Sequence, residues 1–210
     1  MLESDGMKET TRDLIEKALK GYTPLETDVP DRIPSAVLVP LLKKEERLHL
    51  LFMRKVEDGS LHGGQVSFPG GAYEEEDEDL LTTALRETQE ELGIPPSLWD
   101  ILGRLDPVKT RGTPFVIHPF VAYLKKEVHF IPNPKEVALI FTVPLDYILE
   151  SHPFQTQKLQ WKGKDYTTFI IHYQSEIIWG ATARILDRLC SIIKAADPSS
   201  GAEPHKATQP

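Results

Sequence analysis

The sequence predicts an α/β fold built as one main domain. Three observations predict it. Apolar runs of strand length recur through the middle of the chain, and amphipathic helical segments stand before, between and after them. The 210 residues, 40% hydrophobic and 27% charged, match one average soluble domain with some additional chain at its ends.

Residues 7–20, MKETTRDLIEKALK, set Leu14, Ile15, Ala18 and Leu19 on one helical face, with Thr10 and Asp13 spaced as a capping box and Gly21 as the stop. A polar stretch marked by prolines runs from Thr23 to Pro34. AVLVPLL (36–42) and LHLLFMR (48–54) then read as the two strands of a hairpin joined by KKEER. FPGG (68–71) is turn chemistry. The acidic run EEEDED (74–79) leads into a helix from Asp79 to Leu92, closed by Gly93 and Pro95. Further strands are expected at 115–124, 137–145 and 166–173. A closing helix is expected over 179–194, where Ala183, Leu186, Leu189, Cys190 and Ile193 fall near helical spacing. The small, polar, proline-containing end cannot offset its ordering entropy. The expected layout is therefore an N-terminal helix and linker over 1–34, the domain over 35–195 and a mobile tail over 196–210.

Charge and cysteine usage narrow the function classes. With 24 basic residues against 32 acidic ones, a net charge of −8 lacks the basic excess of a general nucleic-acid binder. An anionic ligand would need a local basic site or a metal ion. Cys190 is the only cysteine and cannot form an internal disulfide, and no signal segment opens the chain, so a reducing, cytoplasmic setting is expected. No apolar run approaches the ~18 residues of a membrane span, and no membrane insertion is expected.

The chemistry concentrates in residues 70–94, GGAYEEEDEDLLTTALRETQEELGI. At ~100° per residue, Leu81, Ala84, Leu85, Thr88 and Leu92 form the expected core face, and Glu87, Glu90 and Glu91 gather on one patch away from it. Like charges at these spacings each destabilise a helix by ~0.2–0.5 kcal/mol, and the macrodipole disfavours anions near a C-terminus. Helix stability alone does not select them. A divalent cation turns that repulsion into coordination, because hard Mg²⁺ or Mn²⁺ takes carboxylate oxygens together with water and substrate phosphates. The earlier acidic run lies before the helix, where negative charge is favourable, and most of it is given no catalytic role.

REx2EExG, here Arg86-Glu87-Thr88-Gln89-Glu90-Glu91-Leu92-Gly93, followed by Ile94 and preceded by Gly71, resembles the Nudix box, Gx5Ex7REUxEExGU. Thr88 replaces the usual aliphatic residue, and one extra residue separates Gly71 from Arg86. That extra residue, with Asp77 inside it, is typical of the coenzyme A pyrophosphatase branch. HGGQVSFPGG (62–71), TPFVIHPFVAYL (113–124), EVALIFTVPLDYIL (136–149) and IWGATARILDRL (178–189) resemble the same branch. Just upstream, that branch usually shows LLTxR with later small and basic residues. Met53, Lys55, Val56 and Ser60 depart from it.

The resemblance implies an α/β/α sandwich with a mixed β-sheet, in which the box forms a loop-helix-loop that binds Mg²⁺ or Mn²⁺. It implies Gly71, Glu87, Glu90 and Glu91 as the metal-binding set, with the main-chain carbonyl of Gly71 facing the metal. Arg86 would orient Glu87, and Glu91 and Glu136 are both candidates for the base. Arg54, Lys55, His62 and Gln65 are the candidate substrate contacts, with Lys109 and Arg111 as weaker ones. The implied reaction is hydrolysis of the diphosphate in coenzyme A or an acyl derivative by a monomer or homodimer. The alternatives are another nucleoside diphosphate derivative as substrate, such as ADP-ribose or a dinucleotide, or a catalytically silent binding domain.

Overall fold

The structure, a computed structural model, describes residues 11–25, 29–60, 62–150, 154–161 and 164–196. The expectations for residues 7–10, for the Thr10 cap and for the tail beyond 196 lie outside the described residues, as does the side chain of Trp161. The elements run α1 (Thr11–Lys20), β1 (Ile33–Lys44), β2 (Arg47–Lys55), β3 (Val66–Ser67), β4 (Gly70–Ala72), α2 (Leu80–Leu92), β5 (Trp99–Arg104), β6 (Val108–Lys109), β7 (Phe115–Leu124), β8 (Val137–Pro144), α3 (Leu145–Glu150), β9 (Gln155–Trp161), β10 (Lys164–Tyr173), β11 (Glu176–Trp179) and α4 (Gly180–Ala196).

The expected hairpin forms from β1 and β2, with Lys44 opposite Arg47, so Glu45 and Glu46 alone make the turn. Both have positive φ, 50° and 62°, the backbone that a two-residue hairpin matched to strand twist requires. The central strand β1 lies parallel to β7 and antiparallel to β2 and β4, which makes the main sheet mixed. β2 and β4 share one edge of β1: β2 pairs along Leu41–Lys44 and β4 along Ser35–Val37. This fork carries the FPGG turn into the sheet.

Alternation along the strands sorts side chains onto two faces. Ala36, Leu38 and Leu42 of β1, with Leu51 and Met53 of β2, pack with Ala84 and Leu92 of α2. Val39, Leu41, Leu50 and Phe52 pack on the opposite face with Ile15 and Leu19 of α1 and Leu186 and Leu189 of α4. The result is the expected α/β/α sandwich. Since Ile15 is fully buried in that second cluster, α1 is part of the core. Cys190 also lies in it, and burial pushes its thiol up to about 12, the setting of an inert packing residue.

Several elements differ from the sequence expectations. The apolar run at 137–145 ends as a strand at Pro144 and turns into α3, whose Leu145 and Ile148 are fully buried one helical turn apart. β9, β10 and β11 form a separate three-stranded antiparallel sheet. The last of these takes Trp179, so the closing helix begins at Gly180. Among the described residues no helix is long and apolar enough to cross a membrane.

Candidate active site

α2 is fixed at both ends. The Asp79 side chain caps it by accepting from Thr82 N at 2.7 Å. Gly93 ends it at φ 72°, its N–H donating to Gln89 O, a left-handed position that glycine adopts without strain. Between these ends the buried residues are Thr83, Ala84, Thr88, Glu91 and Leu92.

The inclusion of Glu91 corrects the expected single patch. Glu91 is only 1% exposed, whereas the Glu90 side chain is half exposed. Glu87, Glu90 and Glu91 therefore do not share one solvated face. On the helix Glu91 is three residues beyond Thr88 and seven beyond Ala84, which places it at the border of the core face. That spacing was the available signal of its burial.

The glycines of β4 admit these carboxylates. Gly70 N donates to Glu91 Oε2 at 2.9 Å. A Cβ added at Gly71 would lie 2.2 Å from Glu87 Oε1, so no side chain fits there without displacing that carboxylate. Lys55 Nζ stands 3.6 Å from Glu91 Oε1. Burial nevertheless outweighs Lys55 and the Gly70 hydrogen bond, and it pushes the Glu91 carboxyl up to about 8, with the charges of Glu87 and Glu136 adding to the rise. Glu87 is raised as well, chiefly by burial and against the pull of Arg86.

Arg86 is the centre of a hydrogen-bonded network. Its Nε donates to Asp77 Oδ1 at 2.8 Å and its Nη2 to Asp77 Oδ2 at 3.0 Å, a two-pronged pair. Its Nη1 donates to Glu87 Oε1 at 3.0 Å and reaches Glu90 Oε2 at 3.5 Å. The almost fully buried Asp77 also accepts from Thr83 Oγ1 and Glu74 N, and the Arg86 guanidinium holds its carboxyl far below the usual range. Asp77 and Thr83 thus fix Arg86, and Arg86 fixes Glu87. The sequence reading gave Thr83 no part in this network. Its position six residues after Asp77 was the only trace.

The remaining candidates fall in three places. Glu136 is exposed, and Asn133 Nδ2 donates to its carboxylate at 2.8 Å. The same turn is tied to α2 by Asn133 N donating to Glu91 O. Arg54 lies with its Nε 3.5 Å from Glu176 Oε2. His62 and Gln65 meet through Nδ1 and Oε1 at 3.3 Å, in a loop tied to β2 by Lys55 N donating to Gln65 O.

The donor set fits a divalent metal ion. Among the described residues no three His, Cys, Asp or Glu side chains converge as a ready-made cage. Mg²⁺ does not need one, since it retains waters and takes one or two carboxylates together with substrate phosphates. Glu87 and Glu91, hard oxygen donors one turn apart beside a glycine strand, with carboxyls whose pKa burial raises despite Arg86 and Lys55, could supply that pair.

Comparison with known proteins agrees with this geometry. The NUDIX domain matches residues 32–162. The uncharacterized Nudix hydrolase NudL of Enterobacter sp. (strain 638) is 36% identical over 165 residues, 79% of this chain and 85% of the relative. Nudix hydrolase 15, mitochondrial, of Arabidopsis thaliana is 35% identical over 193 residues, 86% of this chain and 66% of that longer protein. A solved C. elegans Ap4A hydrolase superposes with a TM-score of 0.47 at 20% identity, covering 56% of this chain and 84% of that one. A domain match over more than half of the chain, joined by relatives above 30% identity over most of it, establishes that the chain belongs to the Nudix family of pyrophosphohydrolases.

Proposed function

We propose that the protein hydrolyses the diphosphate linkage of coenzyme A or acyl-coenzyme A, releasing 3′,5′-ADP and (acyl-)4′-phosphopantetheine, with Mg²⁺ or Mn²⁺ as cofactor. The observation that carries this reading is Asp77. The residue that marks the coenzyme A branch within the lengthened box is the one that grips Arg86 with both carboxylate oxygens. The likeness of HGGQVSFPGG to the branch entry sequence supports the same substrate. The single, buried Cys190 fits a reducing compartment such as the cytoplasm.

Glu87 and Glu91, with Glu90 and the main-chain carbonyl of Gly71, would hold the divalent ion. Once bound, the ion supplies charge neutralisation on the diphosphate and a lowered pKa for the attacking water. Arg86 keeps Glu87 in one orientation through its hydrogen bond. Lys55 adds a positive charge beside Glu91, suited to pair with a diphosphate oxygen of the substrate. Two carboxylates are candidates for the base. Glu91 carries a raised affinity for protons, and Glu136 faces solvent from the turn that Asn133 ties to α2.

A second reading, an ADP-ribose or dinucleotide hydrolase, is favoured by Met53, Val56 and Ser60, which depart from the branch pattern. The test is a product-release screen over coenzyme A, ADP-ribose, NADH and dinucleoside polyphosphates with each metal. The proposal expects the highest kcat/KM for coenzyme A compounds. Much faster hydrolysis of ADP-ribose would replace it with the second reading.

A further inference from the structure

Asn133 and Glu136 open and close a tight turn, Asn133-Pro134-Lys135-Glu136, that leads into β8. The residues suit it. Asn133 stands first, where its Oδ1 accepts from Lys135 N at 3.1 Å, and Pro134 stands second, where its ring presets the φ that the turn requires. Asn133 O accepts from Glu136 N at 3.1 Å and from Val137 N at 2.8 Å, which closes the turn. Two donors of Asn133 then reach outward from it. The main-chain N–H donates to Glu91 O at 2.9 Å, and the side-chain Nδ2 donates to Glu136 Oε1 at 2.8 Å. One residue therefore bonds to the main chain of α2 and to the carboxylate of Glu136.

The last carbonyls of a helix have no partner within it, and this segment supplies them at the end of α2. Glu91 O takes Asn133 N, and Leu92 O takes Ile131 N at 2.9 Å. Gly93 permits the approach, because a Cβ there would lie 2.9 Å from Ile131 Cβ and 3.0 Å from Ile131 O. From the other side, Val56 N, next in the chain after Lys55, donates to Glu136 O at 2.9 Å. Glu136 is thus held by both main-chain groups between the end of β2 and the end of α2, close enough for its charge to act on Glu91. The two candidates for the base differ in access. Glu91 is 1% exposed, enclosed by Gly70 N and Lys55, whereas Glu136 is exposed and can exchange protons with bulk water.

We propose that Asn133 is a positioning residue for diphosphate hydrolysis: it fixes the Glu136 carboxylate against the end of α2, and Glu136 takes the proton of the attacking water. In that step a water O–H bond breaks and its proton passes to Glu136. The water oxygen bonds to one phosphorus, and the bridging P–O bond breaks with its electron pair on the departing phosphate. Bulk water then removes the proton from Glu136. A base works only when held within hydrogen-bond reach of the proton it takes, and the Asn133 side chain removes the freedom that an exposed glutamate otherwise keeps. The assignment rests on the hydrolase reading and is independent of which diphosphate compound is the substrate.

The experiment is a double-mutant cycle on the full chain with Mg²⁺, run on whichever compound the substrate screen finds to be hydrolysed fastest, so that failure of the coenzyme A reading leaves it intact. Glu136→Gln, whose amide oxygen can still accept from Asn133, should lower kcat by about 10²- to 10⁴-fold with KM little changed. Asn133→Ala removes one charge-assisted hydrogen bond and should lower kcat by roughly 10- to 150-fold. Added to Glu136→Gln, it should cost no more than about two-fold further, because the group through which it acts is gone. Mn²⁺ affinity of the metal-free chain, titrated by calorimetry, should fall far less than kcat in each variant. A kcat near that of the wild type in Glu136→Gln would overturn the assignment and return the role to Glu91. Losses that multiply in the double variant would overturn the positioning role, and a fall in Mn²⁺ affinity equal to that in kcat would make Glu136 a metal ligand instead. If Asn133→Ala fails to fold, Asn133→Asp carries the same cycle, since its Oδ1 still accepts from Lys135 N while no side-chain donor faces Glu136.

Discussion

Replacing Glu91 by Gln should change how the stability of the metal-free protein depends on pH. The folded protein raises this carboxyl from 4.5 to about 8, mainly because burial disfavours its charged form. Between those values the native state binds a proton that the unfolded chain has released. Unfolding stability must therefore fall as pH rises through that window. At about 1.4 kcal/mol per pH step, less the rounding at each end, the wild type loses roughly 4 kcal/mol from this one group. The substituted amide cannot ionise, and its oxygen can still accept from Gly70 N. The variant should match the wild type near the acid end and exceed it at the alkaline end, with a melting-temperature gap that opens by roughly 8–16 °C. Thermal melts in chelator across that range provide the assay, and titrating groups that do not interact with Glu91 cancel in the difference. Saturating Mg²⁺ should then raise the melting temperature of the wild type at high pH more than that of the variant, because a neutral amide is a weaker ligand than the ionised carboxylate it replaces. A wild-type-to-variant gap that stayed constant with pH would refute the burial argument.

Three further outcomes follow from the same geometry. Gly71→Ala puts a Cβ 2.2 Å from Glu87 Oε1, and displacement of that carboxylate should lower turnover by about 10²-fold, read in steady-state kinetics, with little change in melting temperature. Asp77→Asn weakens the two-pronged hold on Arg86 and should destabilise the fold by about 1.5–3 kcal/mol in urea titrations while lowering kcat; a variant as stable as the wild type would remove Asp77 from the network. Glu90→Gln, at a half-exposed residue that meets the edge of Arg86 at 3.5 Å, should leave stability within about 0.5 kcal/mol yet cut metal-dependent turnover by orders of magnitude, and near-normal turnover at saturating Mg²⁺ would remove Glu90 from the metal site.

What the sequence made legible were the elements whose local chemistry agrees with their tertiary role. α2 has a capping aspartate, a terminal glycine and an apolar face, and its limits fall within a residue of the expected ones. β7 matches the apolar run at 115–124 from end to end. α3 is six residues long and continues an apolar strand, so no change of period had room to show. β9, QTQKLQW, is mostly polar, and its strand character comes from its pairing with β10. The site divides in the same way. The box carboxylates are visible as a motif on one helix. The burial of Glu91 depends on glycines about twenty residues earlier, and the hold on Arg86 depends on Asp77 in the loop before the helix. Periodicity along one segment carries no information about such meetings.

The two irregularities of the box have physical accounts that leave the helix untouched. Thr88, in place of an aliphatic residue, is fully buried, but its hydroxyl donates to Ala84 O at 2.6 Å within the same helix. The polar atom is satisfied locally, and its methyl group still faces the core. The extra residue between Gly71 and Arg86 is taken up before the helix begins. Asp77 N donates to Glu74 O, Glu74 N donates back to Asp77 Oδ2, and Tyr73 Oη donates to Asp77 O, which closes the added length into a compact turn. Asp79 can then cap α2 as though nothing had been inserted. The turn also buries Asp77 against Arg86, and this makes the lengthened loop the support from which Arg86 holds Glu87. A shorter loop that lost Asp77 would leave a guanidinium, 24% exposed, with its main counter-charge missing, so the extra residue and the arginine's positioning role are one structural device.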